Sequence, residues 1–279
     1  MRSFLDSICS SCDTCIRNKT RITSNFGFLD HLGPADAPFH IMSLDTIGGF
    51  GGRHSSKRYL HLLVDHFTRF SYILTSKNQN SDEFIKLLEN VQKDKKIKIL
   101  LTDQYGGFTS KEFESYLESQ NIEHIFTAVD CPFSNGLNER LNQTLVNRIR
   151  CKINEYNRNR KKQACSTIAQ QCISEYNDTL HSVTGFPPNY LMNGVYASVL
   201  PTELAEVRNF SQDTQTAFLN SKTHHNKNKE RYDRSRKNIS LVSGDYVYIE
   251  NGNRLNREKL DEIRIGPFRI EKKIPILFI

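Results

Sequence analysis

The sequence predicts a mixed α/β fold in which helices pack against a central sheet. Segments with strand character alternate with helical segments between about residues 39 and 126, in the order strand, strand, strand, helix, strand, helix, strand. Several helical segments follow, and this order is typical of a layered α/β domain with a mixed sheet. Hydrophobic residues make up 37% of the chain and charged residues 25%, as expected for a soluble globular protein that buries a core.

The five predicted strands of this region are rich in β-branched and aromatic residues. In chain order they are FHIMSLDTI, RYLHLLVDHF, SYILTS, KIKILLTD and IEHIFT. The first predicted helix, DEFIKLLENVQK, has apolar residues at helical spacing, and Ser81 or Asp82 is expected to cap it. The second helix, KEFESYLESQ, follows Ser110 as its cap. A longer helix is expected to open at Glu139.

The length of 279 residues allows about two domains at roughly 150 residues each. A polar, helix-compatible stretch after residue 200 suits a connecting helix. The segments SGDYVYIE and IGPFRIEKKI then predict two strands of a small β-barrel. The predicted organisation is a short Cys-rich segment, an α/β core, a helical linker and a partial barrel, with boundaries at 1–30, 31–200, 201–238 and 239–279.

Composition excludes a membrane-spanning protein, because the longest apolar run is the last six residues and a span needs about 20. The first residues, MRSFLDSICSSCDTC, lack the apolar core of a signal peptide, so the chain is expected to be intracellular. Its seven Cys residues are then expected to be thiols or metal ligands and not disulfides.

The net charge of +7 is concentrated in two stretches. Residues 138–162 carry eight basic and two acidic side chains, and residues 222–237 carry seven basic and two acidic side chains. Either stretch alone is equally consistent with a solvated helix face. Together they favour a nucleic-acid partner, because each phosphate contact releases counterions.

Three acidic residues occupy positions where acids are unusual. Asp45 interrupts the first apolar strand, Asp103 ends the strand KIKILLTD, and Glu139 opens the long helix. Each has an ordinary alternative, because an Asp at a strand end is often a turn residue and a Glu in the first helical turn favours the helix dipole. Asp65 lies in a similar setting, so a single acid is weak evidence. The combination is more specific, because 35 residues separate Asp103 from Glu139.

This ordered set resembles the D,D(35)E catalytic core of retroviral and LTR-retrotransposon integrases, particularly those of the gypsy type. The matching strings are HIMSLDTI, LLTDQYGGFTSKEF, PFSNGLNERLNQTL and HSVTGFPPNYLMNG. The tail GDYVYI…KLDEIRIGPFRI is similar to the SH3- or chromo-like barrel that follows this core, and CDTCIRNK resembles the second half of the zinc-binding domain before it. The resemblance covers almost the whole chain and implies a ribonuclease H-like core within a fragment of a Pol polyprotein or an element-derived copy.

The resemblance implies that Asp45, Asp103 and Glu139 bind two Mg²⁺ or Mn²⁺ ions. Carboxylates gathered in one cleft repel one another, and hard divalent cations relieve the repulsion. Two such ions activate an attacking oxygen and stabilise the leaving one. The family reaction trims the 3′ ends of the element's DNA and joins them to target DNA. A homo-multimer on DNA is implied, located in the nucleus with a cytoplasmic virus-like-particle stage.

The long helix offers further candidate DNA contacts. Gln143, Val146 and Arg150 fall on the face of Glu139, and Arg150 is expected to meet a phosphate. Retroviral relatives often have basic residues at the positions of Gln143 and Val146, and for Val146 we favour core packing. Asn135 and Gly136 suit either a close approach to the DNA backbone or an ordinary helix entry.

The loop QYGGF also departs from the family pattern. The family usually has Gly two residues after the Asp, and this sequence has Tyr105 there. The conformation of the loop is therefore open at the level of sequence.

Cys12 and Cys15 have the CxxC spacing of a zinc site, overlapped by Cys9. The family site needs two upstream His residues, and none precedes Cys12. Either this is half of a zinc site, complete only in a full-length form, or these thiols bind nothing. We expect no stable zinc site. The other four Cys residues are expected to be buried thiols: Cys131, Cys151, Cys165 and Cys172.

Three functions are consistent with the sequence. The first is an integrase-type polynucleotidyl transferase, which the three carboxylates favour. The second is a decayed or domesticated integrase that only binds nucleic acid, which the incomplete zinc site favours. The third is another ribonuclease H-like nuclease, against which the barrel and the 35-residue spacing argue.

Overall fold

The computed structural model describes residues 11–19, 25–29, 33–50, 56–93, 95–127, 136–160, 163–196, 208–238, 240–251 and 258–272. Its internal contacts divide the chain into two units, one of residues 31–227 and one that combines residues 1–30 with residues 228–278. Across the described ranges, no helix combines the length and the apolar character that a membrane crossing needs.

The larger unit contains a five-stranded sheet formed by the five segments predicted from sequence. The strands are β2 (Ile41–Ile47), β3 (Tyr59–Asp65), β4 (Ser71–Ser76), β5 (Ile99–Thr102) and β6 (Glu123–Phe126). Their order is β4-β3-β2-β5-β6. The first three strands are antiparallel, and β5 and β6 run parallel to β2. The predicted mixed α/β class is therefore confirmed for this unit.

Two helices cover one face of the sheet, α2 (Ser81–Gln92) and α3 (Lys111–Ser119). Phe84, Leu87 and Phe113 from these helices pack on Met42 and Leu44 of β2 in one buried cluster. The prediction of Ser81 or Asp82 as the cap of α2 is wrong, because the helix already includes both residues and the cap position is Asn80. The predicted cap of α3 is confirmed, since the Ser110 side chain accepts a hydrogen bond from the Phe113 N–H at 3.3 Å.

The opposite face of the sheet is covered by α4 (Gly136–Arg158) and α5 (Cys165–Asp178). Alternation along the strands directs Leu60, Leu62 and Val64 of β3 to this face, where they pack on leucines of α4. The helix begins at Gly136 and not at Glu139, so Glu139 lies within its first turn. Two further helices complete the described part of this region, α6 (Pro188–Asn193) and α7 (Phe210–Asp233).

The smaller unit joins both ends of the chain. It contains the helix α1 (Asp13–Asn18), two strands that pair in parallel, β1 (Asn25–Phe26) and β7 (Arg236–Lys237), and the antiparallel pair β8 (Tyr246–Glu250) and β9 (Arg264–Arg269). Arg17 of α1 binds Asp13 at 2.7 Å and Glu262 at 3.3 Å, and its backbone carbonyl accepts from the Ile263 N–H. The segments resembling the zinc-binding half and the barrel therefore contact each other within one unit.

Candidate catalytic site

Asp45 and Asp103 stand on neighbouring parallel strands. Asp45 is in β2, and Asp103 directly follows β5. The two strands pair in register with Ser43 opposite Leu101. Each acid lies two residues beyond this pair, Asp103 just past the end of its strand. The parallel pairing of β2 with β5 thus brings together two acids that are far apart in sequence.

Glu139 reaches this pair from α4, which packs across the same face of the sheet. Burial is the largest cause that raises the pKa of Asp45 above its ordinary value, and the negative charges of Asp103 and Glu139 raise this pKa further. Hydrogen bonds to Asp45 act in the opposite direction. Asp103 and Glu139 are therefore close enough to Asp45 to affect its pKa, and the assignment of the three acids as one metal-binding catalytic set stays a prediction.

The hydrogen bonds of this site include a residue that the sequence analysis missed. One oxygen of Asp45 accepts from the Thr46 N–H at 2.7 Å, and the other accepts from the Asn142 amide at 2.6 Å. The remaining amide oxygen of Asn142 is buried without a partner. Asn142 lies three residues after Glu139, and this helical spacing next to a candidate acid is the sequence feature that would have indicated it.

The donor set of this site fits a hard divalent cation. The side chains of Asp45, Asp103, Glu139 and Asn142 offer only oxygen, which is the donor that Mg²⁺ and Mn²⁺ prefer. In the part of the chain that the structure describes, no three His, Cys, Asp or Glu side chains are grouped so as to hold a metal ion. Both oxygens of Asp45 have N–H donors, and one oxygen of Asp103 accepts from the Tyr105 N–H at 3.1 Å.

The loop after Asp103 forms a compact turn despite its departure from the family pattern. The Phe108 N–H donates to the Tyr105 carbonyl at 2.8 Å, and the Phe108 ring is buried against Phe84. A side chain at Gly107 would lie 2.8 Å from the Phe84 ring and 2.9 Å from the Tyr105 ring. A glycine is thus needed at the fourth position after the Asp because the aromatic rings leave no room for a Cβ.

The predicted DNA-contact residues of α4 have different environments. Gln143 and Arg150 are exposed, and Gly136 is the first residue of the helix. The prediction that Val146 packs in the core is wrong, because this residue is half-buried and lines a cavity of about 340 Å³ together with Arg150 and Ile47. Asn135 lies outside the described residues.

Asp65 has a purely structural environment. Its carboxylate accepts hydrogen bonds from the backbone N–H groups of Phe39, Phe67 and Thr68 and from the Thr68 hydroxyl, at 2.6 to 3.0 Å. These bonds tie the turn between β3 and β4 to the start of β2. Asp65 is fully buried, so it is a structural acid that resembles the candidate catalytic acids only in sequence.

The cysteines follow the sequence prediction only in part. Cys12 caps the N-terminus of α1 and Cys15 lies in its first turn, and hydrogen bonding to Cys15 lowers the pKa of Cys12. Cys172 is buried as predicted. The prediction is wrong for Cys151, which is exposed, and for Cys165, which is half-buried. Cys9 and Cys131 lie outside the described residues.

Part of the chain is similar to a known protein family. Residues 35–132 match the family model described as "Integrase core domain". The chain is 24% identical to the Transposon Tf2-3 polyprotein of Schizosaccharomyces pombe, over 98% of this chain and 21% of the polyprotein. The Tf2-4 polyprotein of the same organism matches with the same values. The chain therefore spans about a fifth of the length of these curated relatives.

A solved structure also shares the fold. It is a cryoEM structure of the simian T-cell lymphotropic virus intasome in complex with the PP2A regulatory subunit B56 gamma. It aligns with a TM-score of 0.55 and 20% identity, over 75% of this chain and 71% of the matched chain.

Proposed function

Because this chain is related to the integrases of retroviruses and LTR retrotransposons, as its motifs predicted, we propose that it is a metal-dependent polynucleotidyl transferase for DNA integration. In this proposal the chain trims the 3′ ends of element DNA and then joins them to target DNA. The finding that supports the proposal most strongly is the convergence of Asp45, Asp103 and Glu139 from β2, β5 and α4 on one face of the sheet.

Asp45, Asp103 and Glu139 are proposed to hold Mg²⁺ or Mn²⁺, with two ions in the active form. Bound cations of this type activate an attacking oxygen and stabilise the leaving oxygen. Asp45 is central because burial and the charges of the other two acids raise its pKa, so it loses its proton less readily than an exposed Asp. Asn142 holds one Asp45 oxygen at 2.6 Å and thereby orients this carboxylate. Its unpartnered amide oxygen is a further oxygen donor beside the site.

Arg150, Gln143 and Gly136 are proposed to contact the DNA backbone, and Asn135 belongs to the same proposal from its sequence position. Arg150 and Gln143 are exposed on the helix that carries Glu139, and Arg150 has a side-chain hydrogen bond to the neutral Asn147 at 2.9 Å. The partners in this proposal are element DNA, target DNA and further copies of the chain, in the nucleus.

Glu139→Gln is expected to abolish strand transfer on branched DNA in Mg²⁺ or Mn²⁺ and to leave DNA binding unchanged. The amide keeps the size of the side chain and removes the negative charge that cations need. The matched control is Glu155→Gln, because Glu155 is exposed on the same helix and distant from the acids. A gel assay of strand transfer and an anisotropy assay of DNA binding measure the two effects. Activity retained by the Glu139 variant would show that the site is wrong.

A second candidate function is nucleic-acid binding without catalysis. The observation that favours it is that the described residues contain no group of three metal-ligating side chains arranged for an ion. If wild type and variant bind DNA equally and neither transfers strands, this candidate is supported. A zinc role for Cys12 and Cys15 belongs to neither candidate and requires ligands from a full-length form.

A further inference from the structure

A buried hydrogen bond connects β2 and α4 directly beside the candidate catalytic acids. The Ser43 hydroxyl donates to the side-chain oxygen of Asn138 at 2.7 Å, and both residues are fully buried. Ser43 lies two residues before Asp45 on the same face of β2, and Asn138 immediately precedes Glu139 on α4. The bond therefore joins the two elements at the positions next to their acids.

His66 is the third member of this group. Its Nε2 lies 2.9 Å from the Ser43 hydroxyl oxygen. Burial, together with the charges of Arg69 and His225, lowers the pKa of His66 to about 3, so the ring is neutral at neutral pH. Because the Ser43 proton is given to Asn138, the network requires His66 to donate from Nε2. His66 directly follows β3, and its backbone N–H donates to the Ile41 carbonyl at 2.9 Å. The network therefore spans β2, β3 and α4.

Apart from the Asn142 bond to Asp45, the contacts of this cluster between α4 and the sheet are apolar and do not by themselves fix the register of the helix. Leu141 and Leu145 pack on Leu62 and Val64 in this cluster. Apolar side chains tolerate small shifts, whereas a buried hydrogen bond is directional and leaves costly unpaired groups when it breaks. A slip of one residue along α4 would rotate Glu139 by about 100° and move it by about 1.5 Å. Such a shift would take its carboxylate away from Asp45.

We propose that Ser43, Asn138 and His66 are positioning residues that fix Glu139 relative to Asp45. The inference rests on the proposed function, in which these two acids share divalent cations. None of the three residues acts on DNA or metal in this role. They act through the placement of α4 on β2.

The test compares Ser43→Ala with Ser76→Ala in the full chain. Ser76 is a matched control because it is also a fully buried strand serine bonded to a buried histidine, with 2.6 Å between its hydroxyl and His61 Nε2. Both variants lose a buried hydroxyl, so their thermal stabilities should fall similarly. Only Ser43→Ala should weaken Mn²⁺ binding, measured by EPR titration, by about tenfold, as is usual when a residue that orients metal ligands is removed. Ser76→Ala should stay within about twofold of wild type.

A second variant guards against a water molecule that replaces the lost Ser43 hydroxyl in Ser43→Ala and restores the bond to Asn138. Asn138→Leu keeps a similar side-chain size and removes the acceptor, and it should weaken Mn²⁺ binding as Ser43→Ala does. The double variant should lose little more than either single variant, because each single change already breaks the same interaction. Wild-type affinity in both single variants, or an equal loss in Ser76→Ala, would refute the positioning role.

A measurement on the metal-free protein tests the positioning role independently of the proposed function. The Asn142 amide donates to Asp45 at 2.6 Å, so NOEs between the Asn142 side-chain amide protons and the Asp45 Hβ protons report the placement of α4 on β2. These NOEs should weaken in metal-free Ser43→Ala and stay unchanged in Ser76→Ala. If wild type binds no Mn²⁺ or transfers no strands, the proposed function fails and the NMR comparison still decides the positioning role. Unchanged NOEs in Ser43→Ala would then overturn it.

Discussion

Asp45 and Asp65 lie on adjacent strands of one sheet, and their hydrogen-bond partners give them different tasks. Asp65 is fully buried and accepts four donors that close a turn, so its charge is satisfied within the fold. Asp45 has one N–H donor for each oxygen and has Asp103 and Glu139 as negative neighbours. A buried acid with unfavourable neighbours is typical of a functional site, because a ligand can supply the missing positive charge.

Asp45→Asn is expected to stabilise the metal-free protein while it abolishes strand transfer. Burial and the charges of Asp103 and Glu139 raise the pKa of Asp45 above its ordinary 3.8, so the folded protein binds this proton more tightly than the unfolded chain does. Stability therefore falls as pH rises through the folded-state pKa, and Asn removes this dependence. The Asn142 amide can turn its unpartnered oxygen toward the new side chain.

Thermal unfolding of both proteins in EDTA checks this prediction. The gain in Tm should be absent below about pH 4 and present at about pH 7. A variant that is less stable than wild type at pH 7 would show that Asp45 contributes to the fold mainly through its hydrogen bonds.

At the scale of elements, α4 combines most of the candidate functional positions. Its first turns carry Asn138, Glu139 and Asn142, and its exposed side carries Gln143 and Arg150. The helix obtains its position from apolar packing and from the Ser43 bond to Asn138. The loop after β5 has the corresponding task for Asp103, because the Tyr105 N–H binds this carboxylate and the Phe108 ring packs against Phe84.

Gly107→Ala should destabilise the protein, and Gly106→Ala should be nearly neutral. A Cβ at Gly107 would meet the Phe84 ring at 2.8 Å, whereas a Cβ at Gly106 has no atom within 4 Å. Overpacking of this kind costs about 1–3 kcal/mol. Urea unfolding of the two variants measures the difference. If Gly107→Ala is as stable as Gly106→Ala, the loop rearranges around the added methyl group without cost.

At the scale of the whole molecule, local patterns predicted the strands of the larger unit and the strands β8 and β9 of the smaller one, but not the pairing of segments from opposite ends of the chain. Short-range patterns in the sequence indicated the order of the strands along the chain and the Ser110 cap. The spacing of acidic residues indicated the three acids. The parallel pairing of Asn25 with Arg236 depends on contacts between opposite ends of the chain, which no local pattern encodes. Asn142 was not predicted because its spacing of three residues from Glu139 gains meaning only once α4 is known to pack beside Asp45.

The positive net charge of the molecule leads to a prediction about how its affinity for DNA depends on salt concentration. The net charge is +7, and Arg150 is exposed on α4, where its side chain donates a hydrogen bond to the neutral Asn147. If Arg150 meets a phosphate, Arg150→Gln should reduce the slope of log affinity against log salt by about one unit. The control is Lys152→Gln on the same helix, because Lys152 already pairs with Glu175 and should contribute little to the slope.

Fluorescence anisotropy with a labelled DNA duplex over a salt series measures both slopes. Binding that is weaker at every salt concentration with an unchanged slope would mean that Arg150 contacts a base or sugar. If Lys152→Gln reduces the salt slope as much as Arg150→Gln does, DNA binding breaks the ion pair of Lys152 with Glu175. In that case the whole basic face of α4 binds phosphate, and the contact is not confined to the turns near Glu139.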